Sequence, residues 1–315
     1  MKDKFNREID YLRISLTEAC NLRCIYCMPD GDVCFKNDNG LTDDEIKYLI
    51  DIFGDIGLKK IRFTGGEPLL RKNIVELVSK AKEKEIGKIA LTTNGVLLPK
   101  YLDELINAGL NEINISLDSL NEDVFKKITR GGNLISVVES IKKAVNKGIK
   151  VKINAVIVKG INDNEFLDLC KLSIHHKLDI RFIELMPIGF GKKYNQIDND
   201  EILSILESRF GTFEIVTEKR GNGPAKYYRN QNMKGCIGFI SAISHEFCES
   251  CNRIRLTSSG FLKLCLHYNK GIDLKAPIRS GISDEDLKVL IHDTIWNKPL
   301  SHKFGHTNGE KDIEV

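Results

Sequence analysis

Short strand-like segments alternate with amphipathic, helix-like segments over residues 11–186 of this 315-residue chain. The strand-like segments are rich in aliphatic residues and comprise residues 11–16, 60–63, 88–93, 112–117, 151–158 and 180–186. The helix-like segments, which have apolar residues at helical spacing, comprise residues 43–53, 73–84, 99–108, 133–147 and 164–176. Strands joined through helices run parallel, whereas strands joined by tight turns run antiparallel. The pattern therefore predicts an α/β fold with a partial TIM-like (βα)6 barrel, and it favours this over an open antiparallel sheet with one solvated face.

One face of the predicted strands is polar, although strands of a parallel sheet usually read as continuous apolar runs. Arg13, Arg62, Asn114, Lys152 and Glu184 are the polar residues that we assign to this face. If the apolar face packs on the helices, the polar face lines the interior of the barrel. Because lysine and arginine buried there without an anionic partner would be costly, we expect a polar, anionic ligand inside the barrel.

Three cysteines, Cys20, Cys24 and Cys27, closely follow the first predicted strand. A peptide this short cannot form internal disulfides without strain, whereas closely spaced thiolates converge on one metal centre. Three ligands for a four-iron cluster leave one iron without a protein ligand, and a small molecule could bind there. Half of a structural zinc site is the alternative, but it needs a fourth ligand, and the nearby sequence offers only Cys34.

A second group of three cysteines, Cys248, Cys251 and Cys265, lies near the C-terminus. Residues 253–257 and 261–264 are predicted to form a hairpin, which would bring Cys265 back beside the other two. Spacing alone slightly favours a zinc ribbon here. The residues that could complete a zinc site are His245, His267 and Cys236.

Arg253 and Arg255 change this interpretation, because residues two apart lie on one face of a strand. Two guanidinium groups beside an incompletely ligated metal centre suit a triphosphate better than they suit a structural zinc ion. A solvated pair of surface arginines is the alternative. We therefore select Arg253 and Arg255 as the candidate catalytic residues, beside an incompletely ligated metal centre at the second cysteine group.

The composition narrows the class of protein. The chain is 42% hydrophobic, which is ordinary for a globular core, and its net charge of +3 is too small to indicate binding to nucleic acid. The charged residues 1–8 lack the apolar stretch of a secretory signal, and no apolar run is long enough to span a membrane. Nine cysteines then indicate metal or redox use in a reducing compartment. The sequence predicts a cytoplasmic protein that binds neither nucleic acid nor membrane.

The C-x3-C-x2-C spacing, with Tyr26 directly before the last cysteine, resembles the cluster motif of the radical S-adenosylmethionine (radical SAM) superfamily. The continuation Tyr26-Cys27-Met28-Pro29-Asp30-Gly31 more narrowly resembles the GTP 3',8-cyclase family (molybdenum cofactor biosynthesis protein A family). Residues 235–256 resemble the second-cluster region of that family, and the likeness covers about residues 8–302. The resemblance implies two 4Fe-4S clusters, one on each cysteine group, and S-adenosylmethionine as a further cofactor.

The resemblance also assigns residues to ligands. Thr64-Gly65-Gly66-Glu67-Pro68 resembles the segment that holds the amino group of S-adenosylmethionine, and we expect Glu67 to supply a negative charge at the mouth of the barrel. The positions that match contacts with S-adenosylmethionine are Tyr26, Gly66, Ser116 and Met186. The positions that match contacts with the substrate GTP are Arg13, Arg62, Thr93, Lys152, Arg253 and Arg255. The implied reaction removes hydrogen from the ribose 3' carbon of GTP and joins that carbon to guanine C8.

The chain is expected to divide into residues 1–190, the radical SAM barrel with the first cluster, and residues 191–315, a β-rich and helical extension with the second cluster and the substrate site. The family further implies an external electron donor, a homodimer, and transfer of the product to the next pterin-forming enzyme. Its members usually finish in two glycines that reach the active site, but residues 308–315 lack them, so the resemblance assigns no role to the tail. Two other functions stay open: a different radical SAM reaction with an auxiliary cluster, and a non-catalytic zinc or iron–sulfur binding module.

Overall fold

The structure is a computed structural model that describes residues 1–28, 40–187, 189–218, 220–221, 223–244 and 247–301. Its strands are β1 (Tyr11–Ser15), β2 (Lys60–Thr64), β3 (Lys88–Thr93), β4 (Glu112–Ser116), β5 (Lys150–Val156), β6 (Asp179–Ile183), β7 (Glu214–Ile215), β8 (Lys226–Arg229), β9 (Ile237–Ile240), β10 (Arg253–Leu256), β11 (Phe261–Lys263) and β12 (Gly271–Asp273). Its α-helices are α1 (Asp43–Asp55), α2 (Ile74–Glu83), α3 (Leu98–Asn107), α4 (Glu122–Thr129), α5 (Leu134–Asn146), α6 (Phe166–His175), α7 (Asn199–Phe210), α8 (Lys275–Arg279) and α9 (Asp284–Trp296).

These strands form one sheet in the order β12-β11-β10-β1-β2-β3-β4-β5-β6-β9-β8-β7. Strands β1 to β6 lie side by side in chain order, and every neighbouring pair among them is parallel. The prediction of six parallel strands joined through helices is confirmed, and the antiparallel alternative is wrong. Because the order begins at β12 and ends at β7, the sheet is an open, partial barrel.

The second half of the chain adds strands to this sheet beside β1 and beside β6. β10 pairs in parallel with β1 and continues into the antiparallel strands β11 and β12. On the side of β6, β9 pairs in parallel with β6 and is followed in the sheet by the antiparallel strands β8 and β7. The predicted hairpin between residues 253 and 264 is confirmed as β10 and β11. Both predicted segments thus contribute strands to one sheet, and the domain boundary at residue 190 stays a prediction.

The apolar face of the parallel strands forms the core. Leu12, Ile14, Ile61, Phe63 and Ile113 are completely buried on this face. Burying an aliphatic or aromatic side chain of this size contributes about 1.5–3 kcal/mol. The helices therefore cover this face, and the polar face of the same strands is left for the interior.

Helix starts follow the capping residues in the sequence. α1 begins after Thr42, whose hydroxyl accepts from the Glu45 amide while the Glu45 carboxylate accepts from the Thr42 amide. This reciprocal arrangement is a capping box. The sequence reading omitted α4, which begins after Asn121, a residue whose side-chain oxygen accepts from the amide of Asp123 at 3.0 Å. β4 and β5 are therefore joined through two helices, α4 and α5.

β6 ends at Ile183, three residues before the predicted end. Arg181 is the register partner of Asn154, and its guanidinium donates to the Asn154 side-chain oxygen at 2.5 Å on the interior face. Glu184 is buried beyond the strand, where its carboxylate accepts from the Ile243 amide at 2.6 Å. The prediction that Glu184 lines the interior is therefore wrong, because strand alternation stops before it, and Arg181 takes that place.

No helix in the described part of the chain is both long and apolar enough to cross a membrane. Three of the predictions concern Cys34, His245 and the tail at residues 302–315, and these lie outside the described residues.

Candidate active site

The first cysteine group lies in the loop after β1, at the edge of the sheet where the parallel strands end. The backbone amide of Arg23 donates to the Thr129 carbonyl at 3.0 Å, which ties the loop to the end of α4. The phenol of Tyr26 donates to the Asp118 carboxylate at 2.5 Å, just beyond β4. The ends of neighbouring elements therefore hold the loop in position.

Burial raises the pKa of all three thiols in this loop, those of Cys20, Cys24 and Cys27. Asp118 and the neighbouring thiols raise the pKa of Cys24 further, and Cys20 raises that of Cys27. A thiol is a good metal ligand only after it loses its proton, and a bound metal drives that loss. Three adjacent thiols that are costly to ionise by themselves fit an iron–sulfur cluster, whose iron ions supply the compensating charge.

The Gly65-Gly66 turn after β2 packs against the segment that leads into the cysteine loop. The Gly66 amide donates to the Thr17 carbonyl at 2.7 Å. A Cβ atom on Gly66 would lie 2.2 Å from the Ala19 carbonyl oxygen, which is too close for any side chain. The turn thus requires glycine because two backbone segments of the chain meet there.

Glu67 lies just beyond the end of β2 and is completely buried, and its role as a negative charge at the mouth of the barrel stays a prediction. Its carboxylate accepts from the Thr93 hydroxyl and from the Asn94 amide, each at 2.8 Å. These bonds tie the glycine turn to the end of β3. The Thr93 hydroxyl also accepts from the Gly95 amide at 3.0 Å, and the contact of Thr93 with GTP stays a prediction.

The residues matched to S-adenosylmethionine lie along the same edge as the first cysteine group. Tyr26 is in the cysteine loop, Gly66 is two residues beyond β2, Ser116 is the last residue of β4, and Met186 is three residues beyond β6. The fold brings these positions to one edge because parallel strands end at the same side of a sheet. Their individual contacts with the cofactor stay predictions.

Basic residues form a row across the interior face. Arg13 of β1 is in register with Arg255 of β10 on one side and with Arg62 of β2 on the other. A second row lies two residues closer to the edge where β1 begins, and it consists of Arg253 of β10, Tyr11 of β1 and Lys60 of β2. The interior position predicted for Arg13 and Arg62 is therefore confirmed.

Glu112, the first residue of β4, neutralises part of this charge. Its carboxylate accepts from the ammonium groups of Lys60 at 3.1 Å and Lys152 at 3.2 Å, and it forms a third ion pair with Arg62. Burial opposes ionisation, but these cations hold the pKa of Glu112 well below its usual range. Burial also lowers the pKa of Lys152 to about 7, although Glu112 opposes that shift.

Three other interior arginines, Arg13, Arg181 and Arg255, form no ion pair with a carboxylate among the described residues. The Nε atoms of Arg13 and Arg181 are buried without a hydrogen-bond partner. Burial and the neighbouring Arg255 lower the pKa of Arg13, while burial and Arg253 lower that of Arg255 to about 10. Buried like charges at this density are costly until an anion lies between them. The interior is therefore suited to a polyanionic ligand.

The second cysteine group lies at the opposite edge of the sheet. Cys248 and Cys251 precede β10, which is parallel to β1, and Cys265 follows the antiparallel β11. All three therefore lie where β1 begins, whereas the first group lies where β1 ends. β1 has five residues, so at about 3.3 Å per residue its two ends lie about 16 Å apart, and the two groups lie beyond opposite ends.

Cations surround the second cysteine group. Burial would raise the pKa of Cys251, but Arg253 and Lys298 lower it, and this favours the thiolate that binds metal. The Arg253 guanidinium also lies 4.8 Å from the centre of the Phe247 ring. In the parts of the chain that the structure describes, no three His, Cys, Asp or Glu side chains, including those of either cysteine group, are already arranged to hold a metal ion. Thiols in a cationic setting fit a thiolate-ligated cluster.

A cavity of about 710 Å³ opens beside the second cysteine group. Its lining includes Asp10 and Asn252, which lie next to that group, and the interior residues Lys152 and Arg181. The cavity thus connects the edge that carries the second cysteine group with the basic interior.

Sequence reasoning missed three of the interior residues, Lys60, Glu112 and Arg181. Lys60 and Glu112 each lie two positions before a residue that was selected, Arg62 and Asn114, so a strict period of two would have found them. Arg181 was missed because Glu184 was assigned to the polar face, which placed Arg181, three residues earlier, on the opposite face of the strand.

Two family profiles match consecutive parts of the chain. Residues 14–173 match the radical SAM superfamily, and residues 178–304 match the family described as Molybdenum Cofactor Synthesis C. Together the two profiles cover both edges of the sheet on which the cysteine groups lie.

Curated relatives match nearly the whole chain. The GTP 3',8-cyclase of Clostridium perfringens (strain 13 / Type A) is 50% identical over 314 residues, which cover 99% of this chain and 97% of that protein. The GTP 3',8-cyclase of Desulforamulus reducens is 48% identical over 321 residues, which cover 100% of this chain and 98% of that protein.

Solved structures with low sequence identity share the fold. Streptococcus suis SuiB matches with a TM-score of 0.64 and 16% identity, covering 94% of this chain and 68% of that protein. SuiB bound to S-adenosylmethionine matches with a TM-score of 0.65 and 16% identity, covering 92% of this chain and 67% of that protein. At this identity the likeness concerns the fold alone. From the matched profiles and the identity with curated relatives, we conclude that the chain belongs to the GTP 3',8-cyclase family of the radical SAM superfamily.

Proposed function

We propose that this chain converts GTP into (8S)-3',8-cyclo-7,8-dihydroguanosine 5'-triphosphate, a radical SAM reaction of molybdenum cofactor biosynthesis. Cys20, Cys24 and Cys27 would hold one 4Fe-4S cluster, and Cys248, Cys251 and Cys265 would hold another. When bound, the first cluster and S-adenosylmethionine supply the 5'-deoxyadenosyl radical that removes hydrogen from the ribose 3' carbon. The residues of the chain bind the substrate, orient it and exclude water.

The observation that carries this proposal is the excess of positive charge between the two cysteine groups. Glu112 pairs with Lys60, Arg62 and Lys152, which leaves for a ligand the half-buried Arg13 and the other interior arginines that form no ion pair with a described carboxylate. A triphosphate carries enough negative charge to compensate several of them, and guanidinium groups bind phosphate through strong, charge-assisted bonds.

The positions of these arginines orient the substrate along the sheet. Arg255 and Arg13 lie in one row, midway between the two edges, so the phosphates are expected there. The cavity beside Asn252 extends from the interior residues Lys152 and Arg181 to the second cysteine group, and the guanine base would occupy it. The proposed reaction also requires the ribose 3' carbon to face the edge with the first cysteine group, where the radical forms. Arg253 and Arg255 remain our candidate catalytic residues, because Arg255 lies in this row and Arg253 lies two residues closer to the second cysteine group.

The remaining partners are part of the same proposal. An external donor would supply the electron, the chain would form a homodimer, and the product would pass to the next pterin-forming enzyme. We also propose a cytoplasmic location. None of the eight described cysteines forms a disulfide, as is usual in a reducing compartment.

Anaerobic incubation of the reconstituted full chain with a reductant, S-adenosylmethionine and GTP tests the proposal. We expect release of 5'-deoxyadenosine with GTP and little with ATP or without nucleotide, because only the correct base reaches the second cluster. Equal release under all three conditions would contradict the assignment. Zinc without sulfide in anaerobically purified protein would favour the non-catalytic binding module instead.

A further inference from the structure

Lys298 is a buried lysine that joins the two segments of the second cysteine group. Its side chain is only 2% exposed. The ammonium donates to the Arg253 carbonyl at 2.9 Å and also to the Leu264 carbonyl. Arg253 is two residues after Cys251, and Leu264 directly precedes Cys265. One ammonium group therefore fixes the distance between the segments that carry these two thiols.

Arg7 holds the third thiol to the same centre. Its guanidinium donates to the Cys248 carbonyl at 2.8 Å and to the carbonyls of Pro299 at 2.7 Å and Leu300 at 2.8 Å. The buried Asp3 carboxylate accepts from the Arg7 Nε atom at 2.6 Å and neutralises its charge. Arg7 thus ties the Cys248 segment to the residues that follow Lys298.

The charge of Lys298 has a different environment from that of Arg7. Burial lowers the pKa of Lys298, and among the described residues the groups that oppose this shift are the thiols of Cys251 and Cys265, not a carboxylate. Backbone carbonyls can accept its hydrogen bonds, but they do not neutralise an ammonium. A buried cation without an anion is costly, so an anionic centre is expected at the two thiols.

We propose that Lys298 is a positioning residue for the second cluster, which holds the Cys251 and Cys265 segments at the spacing the cluster requires and compensates the negative charge of its thiolates. The inference rests on the proposed function, because it assumes that this cysteine group binds a 4Fe-4S cluster. Positive charge close to such a cluster favours its reduced form.

The test replaces Lys298 with methionine, which has a similar length but no charge. Electron paramagnetic resonance during a redox titration of the reconstituted protein should show two results. The first cluster should keep its reduction potential. The second cluster should either be lost or have a reduction potential lower by about 59 mV, which for one electron corresponds to a tenfold lower ratio of reduced to oxidised cluster. Lys298→Arg, which keeps the charge, should restore the second cluster at least in part.

Lys270→Met is the matched control, because this lysine lies beside the same hairpin but is exposed to solvent. Water and salt screen its charge, so neither cluster should change its potential. Unfolding of the protein without clusters gives a second measurement. If Lys298 had only a structural role, the Lys298→Met variant would be less stable than wild type both with and without clusters. If Lys298 compensates the charge of the cluster, the variant without clusters should be as stable as wild type, or more stable.

The outcomes separate this inference from the proposed function. Wild-type protein that binds about four irons instead of about eight would contradict the second cluster, and with it both proposals. Wild-type protein with about eight irons, together with a Lys298→Met variant whose second cluster is retained at an unchanged potential, would overturn the role of Lys298 alone. Equal destabilisation of the variant with and without clusters would also overturn that role.

Discussion

Glu112 determines which of the interior cations remain available to a ligand. It forms ion pairs with Lys60, Arg62 and Lys152, while Arg13 and Arg255 form none with the described carboxylates. Its side chain is 6% exposed, so these pairs lie in a region of low dielectric. Removal of one partner from such a buried group leaves the others uncompensated, which costs more than the original interaction contributes.

We predict that Glu112→Gln lowers the free energy of unfolding by about 3–5 kcal/mol, because three buried cations lose their anion. GTP should restore part of that stability, since its phosphates would replace the missing charge. Denaturant unfolding with and without GTP measures both effects. Asp103→Asn is the matched control, because Asp103 also pairs with two lysines, Lys143 and Lys147, but at the surface. A similar loss of stability in both variants would contradict the account.

We predict that Lys152 makes the affinity for GTP depend on pH. In the free protein burial lowers its pKa to about 7, so the ammonium is present below that pH and is lost above it. Phosphate beside Lys152 favours the ammonium, and binding should therefore take up a proton. We predict that affinity for GTP falls by up to about tenfold per pH unit from about pH 7 to about pH 9.

Calorimetry in buffers with different ionisation enthalpies measures this proton uptake. Lys152→Arg provides the comparison, because a guanidinium stays charged throughout the range. The variant should bind GTP with an affinity that changes little with pH. A wild-type protein whose affinity is as insensitive to pH as that of the variant would contradict the proposed contact.

Among the elements, those with regular hydrophobic periods could be predicted and those that depend on tertiary contacts could not. The six parallel strands and the long helices follow from alternation and helical spacing. Helix α4 has eight residues and was not recognised, because so few turns give a weak periodic signal. The end of β6 at Ile183 depends on where Glu184 finds its hydrogen-bond donors in a distant segment, which no local pattern contains.

The glycine turn after β2 supports the first cysteine loop, and this gives a prediction for that element. In Gly66→Ala the added Cβ would lie 2.2 Å from the Ala19 carbonyl oxygen, so the turn and the loop must separate. We expect the first cluster to be lost and the second to remain, which lowers the iron content from about eight to about four per chain.

Iron and sulfide analysis, with electron paramagnetic resonance to identify the remaining cluster, measures this loss. Gly87→Ala is the control, since a Cβ there meets its nearest atom, the Lys59 carbonyl oxygen, at 3.8 Å, which is ordinary contact. An unchanged first cluster in Gly66→Ala would mean that the turn does not support the loop.

On the scale of the whole molecule, one sheet carries the two cysteine groups at opposite edges with a basic interior between them. The sequence predicted the two groups and the polar face, because spacing and alternation are local properties. It did not predict Arg7 and Lys298, whose partners lie at the other end of the chain or in another element. Such residues act through contacts that exist only after folding, so a reading of motifs does not find them.

The central claim is that GTP lies between the two cysteine groups with its ribose toward the first. The most direct test uses GTP with deuterium at the ribose 3' carbon, in a single turnover of the anaerobically reconstituted protein, followed by mass spectrometry of the 5'-deoxyadenosine that is released. The account predicts that this 5'-deoxyadenosine carries one deuterium atom. Unlabelled 5'-deoxyadenosine, or deuterium transferred only from another position of the nucleotide, would contradict it.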